Sequence, residues 1–185
     1  MEETFRRCGS AAPVPDLAAV FDRFSAPCDG DVYKCHLTYD ISGRVLPPVF
    51  EKYSSRRIDF LVCRDADGLD YSCKWEDRSG LESLGKGLEQ GGEVLILRNG
   101  FVTDTRYSNL VFGDGVNWVT PDTFLLPGTK RAFLLHTGLI QSVSIRKGEW
   151  GEFPYCSLIN AMLDPGDVVL ETSKIGSSSK SVDGK

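Results

Sequence analysis

The stretch EVLILRNG, residues 93–100, constrains what this chain can fold into more than any other. It is nearly continuously apolar between its end charges, the pattern of a strand buried on both faces. The residues after it keep to the same character: FVTDTRYSNLVFGDGVNWVTP (101–121) reads as short strands joined by Gly-Asp-Gly, a good hairpin signal. QSVSIRK, YCSLINAML and DVVLET supply further strand-like material up to residue 172. FLLPGTKRAFLLHTGLI (124–140) interrupts them as a loop and then a helix, with Gly128-Thr129 at its start and Gly138 near its end.

The chain ahead of this β-rich part has a different character. PVPDLAAVFDRFSAP (13–27) reads as a helix, with proline and aspartate in its first turn and Leu17, Val20, Phe21 and Phe24 on one face. DVYKCHLTYDI (31–41) and RIDFLVCRD (57–65) read as strands, separated by Gly43 and Pro47-Pro48. ADG (66–68) is a turn, LDYSC (69–73) is short and extended, and WEDRSGLESLGKGLEQ (75–90) reads as a helix weakened by Gly80, Gly85 and Gly87. The expectation is an α/β (α+β) protein with a smaller α/β lobe over 1–68 and a larger β-rich lobe over 69–172. The segment 173–185, SKIGSSSKSVDGK, has almost nothing to bury and is expected to be disordered. No internal repeat is visible.

Composition narrows the function classes. At 185 residues with 41% hydrophobic and 25% charged residues, the chain can build one good core or two small lobes. A net charge of -5 leaves no broad basic face for nucleic acid or an anionic membrane, so any anion site must be local. No apolar run is long enough to span a bilayer. MEETFRRCGS has charges with no apolar stretch behind them, unlike a secretory signal, and a cytoplasmic protein is expected. The six cysteines form no CxxC pair and are expected as reduced thiols packed as small hydrophobes, with no metal site.

One residue fits this scheme poorly. Lys74 ends the apolar run LDYSC just before a helix, at the junction of the two expected lobes, where clefts form. It is either an ordinary edge residue or a lysine held in place for chemistry. YSCKWEDRSGLESL, RNGFVTDTRYSNLVF and WVTPDTFLLPGTKRAFLL, in that order, resemble the class IV aminotransferase family, the pyridoxal-phosphate (PLP) enzymes of fold type IV. RNGFVTDTRYSNLVF is similar to the family's G-x-(V/L)-(T/S)-E-x-x-x-(S/A)-N-(I/L)-F motif, and WVTPDTFLLPGTKRAFLL to its TP…L-x-G-(I/V)-T-R motif. SLINAML more weakly resembles the CNALM stretch of the branch that contains 4-amino-4-deoxychorismate lyase.

The resemblance implies a small α/β lobe beside a larger β-rich pseudo-barrel lobe, PLP as cofactor, an amino-acid-like substrate, and a homodimer in which the partner completes the cleft. It implies that Lys74 forms the aldimine with PLP and then moves the proton at the substrate Cα. Asp104 matches the family's glutamate facing the pyridine nitrogen, one methylene shorter. Gly128, Thr129 and Lys130 match its phosphate cup, with Asn160 and Ala161 as a second backbone approach. In this match Thr129 stands where the family has an apolar residue, and Lys130 where it has threonine. Asn109 is implied as local backbone support. Tyr33, Lys34 and Arg44 are candidates for gripping substrate; Arg78 either faces a substrate carboxylate or, as a helix arginine more often does, simply solvates the helix. The family's N-terminal strands and phosphate-clamping arginine are not seen, and are expected either to lie upstream of Met1 or to be absent; Arg6 and Arg7 are candidate stand-ins. Three readings stay open: a lyase releasing pyruvate and 4-aminobenzoate, a branched-chain or D-amino-acid aminotransferase, and an impaired member serving as a non-enzymatic module.

Overall fold

The computed structural model describes residues 1–176, which fall into two compact units, Met1–Arg56 and Arg57 onward. The first unit carries α1 (Glu2–Arg7), α2 (Leu17–Phe21) and an antiparallel pair, β1 (Tyr33–His36) with β2 (Val49–Lys52). Phe5 is buried and its ring stacks on Tyr39, 5.9 Å between centroids. The helix expected over 13–27 shrinks to α2. Asp16 caps it by accepting the Ala18 and Ala19 amides, but no residue of α2 is buried. Leu17, Phe21 and Phe24 are exposed, so its apolar face lacks the packing that stabilises a helix this short.

The second unit holds two mixed sheets. One has the order β11-β3-β4-β5, built from β3 (Phe60–Asp65), β4 (Gly92–Arg98), β5 (Phe101–Val102) and β11 (Ile175–Gly176). β3 runs parallel to both β4 and β11, and β5 turns back antiparallel to β4. The apolar run EVLILR lies in β4, and Glu93 through Leu97 are all buried. The other sheet has the order β10-β9-β6-β7-β8, from β6 (Asn109–Gly113), β7 (Trp118–Pro121), β8 (Ile140–Val143), β9 (Tyr155–Ile159) and β10 (Val169–Glu171). β6 and β7 form the hairpin expected at Gly-Asp-Gly, where Asp114 accepts the Val116 and Asn117 amides.

Two of the parallel pairs, β3 with β4 and β7 with β8, join strands consecutive in the chain, and each needs a crossover. From β3 the chain crosses to β4 through α3 (Ser79–Leu84); from β7 it crosses to β8 through α4 (Thr129–His136). Open α/β sheets bind ligands at the carboxyl ends of such strands. Lys74 lies in the first crossover and Gly128 in the second, each between a strand's carboxyl end and the following helix.

Several boundaries differ from expectation. The strand Phe60–Asp65, expected in the first lobe, pairs with β4 inside the second unit, so the units divide before residue 68. Of the segment 173–185, Ser173 and Lys174 lie in a 3₁₀ turn and Ile175 is buried in β11 against Leu61, where its apolar side chain has found a partner strand. Residues 177–185 lie outside the described part. Residues 69–73 form no strand: Asp70 accepts the Ser72 amide and turns the chain. The helix expected over 75–90 is only α3, delimited by Asp77, which accepts the Ser79 amide, and by Gly85 and the left-handed Gly87 (φ 75°). Cys73 and Cys156 are buried as expected of small hydrophobes, whereas Cys35 is exposed.

Candidate functional site

Asp104 is the best-defined part of the site. It follows β5 and pairs with Asn109 as an isolated antiparallel bridge, closing the tight loop 104–109 in which Thr105 and Ser108 bond each other. Asp104 is 5% exposed, and its carboxylate receives three N–H groups. Oδ1 accepts Asn109 Nδ2 at 2.7 Å, and Oδ2 accepts the Leu125 and Leu126 amides at 2.9 Å each. Burial pushes its pKa up to about 6, against the pull of the Leu126 amide, Asn109, the Leu125 amide and the Arg131 charge.

Asn109 ties this carboxylate to the second crossover. Its Nδ2 also donates to the Leu126 carbonyl at 3.0 Å, and its Oδ1 occupies the space beside Gly128. A Cβ at Gly128 would stand 2.1 Å from that oxygen, so only glycine lets the loop close here. Gly128 is the N-cap of α4 and has ordinary extended backbone (φ -64°, ψ 144°). The first helical bond runs from the Ala132 amide to the Gly128 carbonyl, which leaves the amides of Thr129, Lys130 and Arg131 outside the helical ladder.

Lys130 and the turn after β9 meet at the same place. Lys130 Nζ binds Asp164 Oδ1 at 2.6 Å. Asp164 directly follows the turn Asn160–Leu163, which is closed by mutual backbone bonds and by Asn160 Oδ1 accepting the Met162 amide. Asn160 is half-buried and Ala161 exposed. The structure therefore brings Asp104, Gly128, Thr129 and Lys130 together with the 160–164 turn.

Lys74 is exposed, between the buried Cys73 and the exposed Trp75, in a stretch without regular structure. The Trp75 amide donates to the Cys73 carbonyl at 2.9 Å, so Lys74 is the apex of a three-residue turn rather than the end of a strand. Its segment is anchored by Tyr71, which shares a core cluster with Ile96 and Leu125, the neighbours of Asp104, and with Leu126 packed alongside. The Tyr71 hydroxyl is buried with no hydrogen-bond partner.

Arg78 precedes α3 and donates to the Arg106 carbonyl, with Glu82 also within reach. Tyr33 and Arg44 belong to the first unit. The Tyr33 hydroxyl donates to Asp29 Oδ2 at 2.7 Å, and Arg44 is exposed. Sequence reasoning missed two arginines. Arg131 is buried, donates to the Pro121 carbonyl at 2.7 Å and lies over the Phe124 ring. Arg106 binds Glu93 through Nε at 2.7 Å and Nη2 at 2.9 Å, and Glu93 is 1% exposed. The charge inside EVLILR was the available signal: a buried carboxylate requires a partner.

These groups fit a phosphorylated pyridine cofactor chemically. A buried carboxylate suits a protonated ring nitrogen, and Asp104 Oδ1, with one donor, retains capacity for a second. Open amides at a helix start beside a lysine suit a phosphate, although Asp164 shares that lysine. Among the described residues no group of three or more His, Cys, Asp or Glu is placed to hold a metal, and no helix is long and apolar enough to cross a membrane.

Known proteins point the same way. No protein-family model matches the chain. It is 32% identical over 149 residues to an uncharacterised protein of Haemophilus influenzae, covering 77% of this chain and 78% of that one. Its fold is similar to that of a Haemophilus somnus protein provisionally assigned as a 4-amino-4-deoxychorismate lyase, with TM-score 0.73, 29% identity and coverage of 87% and 84%. A Mesorhizobium loti protein provisionally assigned as an amino-acid aminotransferase shares the fold at TM-score 0.66 and 16% identity, over 95% and 87% of the chains. With these relatives and the three motifs in their family order, the chain belongs to the class IV aminotransferase family, the fold type IV PLP enzymes.

Proposed function

We propose that the chain is a PLP-dependent enzyme acting on an amino-acid-like substrate, with the eliminating chemistry of a 4-amino-4-deoxychorismate lyase. The observation that carries the cofactor reading is the Asp104 carboxylate, buried and locked by Asn109 against the glycine that opens α4. The lyase choice is supported by the 29% identity to the Haemophilus somnus protein over most of both chains.

Bound PLP supplies an electron sink for the carbanion formed at the substrate carbon that bears the amine. The chain's own residues do the rest. Asp104 holds a proton on the ring nitrogen, and its fixed donors keep its oxygens from turning away. The Thr129 and Lys130 amides, with the turn at Asn160 and Ala161, grip the phosphate. Lys74 would hold the cofactor through its amine, and that amine would then take the proton from the amine-bearing carbon and return it to the departing enolpyruvate. Aminodeoxychorismate thus becomes 4-aminobenzoate and pyruvate, with one proton moved and one C–O bond broken.

The test begins with PLP, borohydride reduction and mass mapping of the modified residue, and continues with aminodeoxychorismate. Fixation on Lys74 with release of 4-aminobenzoate is the expected result. Fixation with keto acid formed from glutamate or leucine would instead make the chain an aminotransferase. A folded protein that fixes no PLP on Lys74 would overturn the enzyme reading and favour a non-enzymatic module.

A further inference from the structure

The crossover that carries Lys74 has no helix or strand between Asp65 and Ser79, and the backbone bonds from Leu69 and Trp75 are local. At its far end Arg106, Glu82 and Arg78 close a ring that Glu93 anchors to β4. Glu93, inside β4, receives two bonds from Arg106, and its Oε1 also accepts the Val94 amide. Arg106 Nη1 reaches Glu82 Oε2 at 3.2 Å. Glu82 Oε1 faces Arg78 Nε at 3.7 Å, and Arg78 Nη2 returns to the Arg106 carbonyl.

The ring spans both halves of the site: Arg78 is on the Lys74 crossover, and Arg106 is in the loop that begins at Asp104. We propose that Glu93, Arg106, Glu82 and Arg78 form a clasp that sets the position of Lys74 relative to Asp104, so that Arg78 is a positioning residue rather than a substrate ligand. The clasp can be judged on its own; its catalytic meaning rests on the cofactor reading above.

The members contribute unequally. Glu93 with Arg106 is a desolvated, two-point pair with fixed geometry. Glu82 is 58% exposed and its Arg78 contact is long, so that contact alone would hold little. The bond that joins the two segments is from the Arg78 guanidinium to a backbone carbonyl, where a charged donor acts on a partner that cannot swing away. Gly85 makes room for the arrangement: a Cβ there would be 2.1 Å from Arg106 Nη1. Gly85→Ala therefore shifts the guanidinium without removing any charge.

The experiment uses the full chain without cofactor, comparing the native sequence with Arg78→Met, Arg78→Lys and Gly85→Ala. Amide exchange is read at Leu69, Ser72 and Trp75, with Val94 to Leu97 of β4 as the internal reference. Breaking the clasp should speed exchange at the first three by about tenfold and leave β4 unchanged, the pattern of a local opening. Arg78→Lys, which keeps one donor for the carbonyl, should restore most of the protection. In parallel, borohydride fixation of PLP on Lys74 at limiting cofactor should fall in Arg78→Met and Gly85→Ala and recover in Arg78→Lys. Unchanged exchange at the crossover, or equal acceleration in β4, would overturn the clasp. If the native protein fixes no PLP on Lys74, the cofactor reading fails, while the exchange pattern still decides the clasp.

Discussion

Asp104 and Lys74, the two residues proposed to serve one site, lie in opposite surroundings. Asp104 is buried, with three N–H groups from three residues fixed on its oxygens. Lys74 is exposed at the apex of a turn, in a crossover with no regular structure. A group that must keep a proton at one fixed point gains from burial and rigid donors. A group that must take a partner, release it and then carry a proton needs room to swing. Stability should accordingly be concentrated at the Asp104 corner, and chemistry at the Lys74 turn.

The largest expected effect is a pH effect at the buried corner. Burial raises Asp104 from 3.8 to about 6 in the fold, so between those values the folded state binds more protons than the unfolded chain. The resulting stability is fully present below about pH 4 and is lost as pH rises through about 6, a total of about 3 kcal/mol. Urea unfolding of the cofactor-free protein and of Asp104→Asn, compared from pH 4 to pH 7, should show the native chain losing ground by that amount. A difference that grew with pH would mean that the three donors and Arg131 outweigh burial, and that the carboxylate is held ionised without help from a ligand.

Gly128→Ala probes the same corner by shape. The backbone angles there suit any residue, so the whole effect comes from the Cβ meeting Asn109 Oδ1. Asn109 is short and bonded on its other side to Asp104, so it cannot move without releasing the carboxylate. The loss should be about 2 kcal/mol, within the range for overpacking, with PLP fixation reduced as well. Full stability in the alanine variant would show that the corner is looser than its bonds imply.

The corner and the turn also differ in how far the sequence revealed them. D-T-R-Y-S-N and L-P-G-T-K-R are motifs with fixed internal spacing, so Asp104, Asn109 and Gly128 could be placed before their bonds were known. The alternation and turn residues of 93–121 likewise led to β4, β5 and the β6–β7 hairpin. Around Lys74 the local signals misled. LDYSC has strand-like residues, but a strand needs a neighbour, and Asp70 turns the chain before it can pair. The helix of 75–90 and that of 13–27 both shortened because periodicity specifies a face, whereas packing determines how many turns persist. The pairing of Glu93 with Arg106 spans thirteen positions across a sheet, beyond the reach of any local pattern.

The smallest effect on stability, with the greatest effect on chemistry, is expected from Lys74→Met. The side chain is exposed, and methionine keeps most of its length without the amine. Unfolding free energy should change by no more than about 0.5 kcal/mol, as for an ordinary surface substitution. Borohydride fixation of PLP should disappear altogether. The next lysine to consider is Lys130, but it is half-buried and its ammonium is bonded to Asp164, so it should not substitute. Should mass mapping find the cofactor on Lys130 in the variant, the reactive amine would belong to the rigid side of the site. Should Lys74→Met instead destabilise the chain as much as Gly128→Ala, Lys74 would be part of the packed framework, and the division between a rigid corner and a mobile turn would fail.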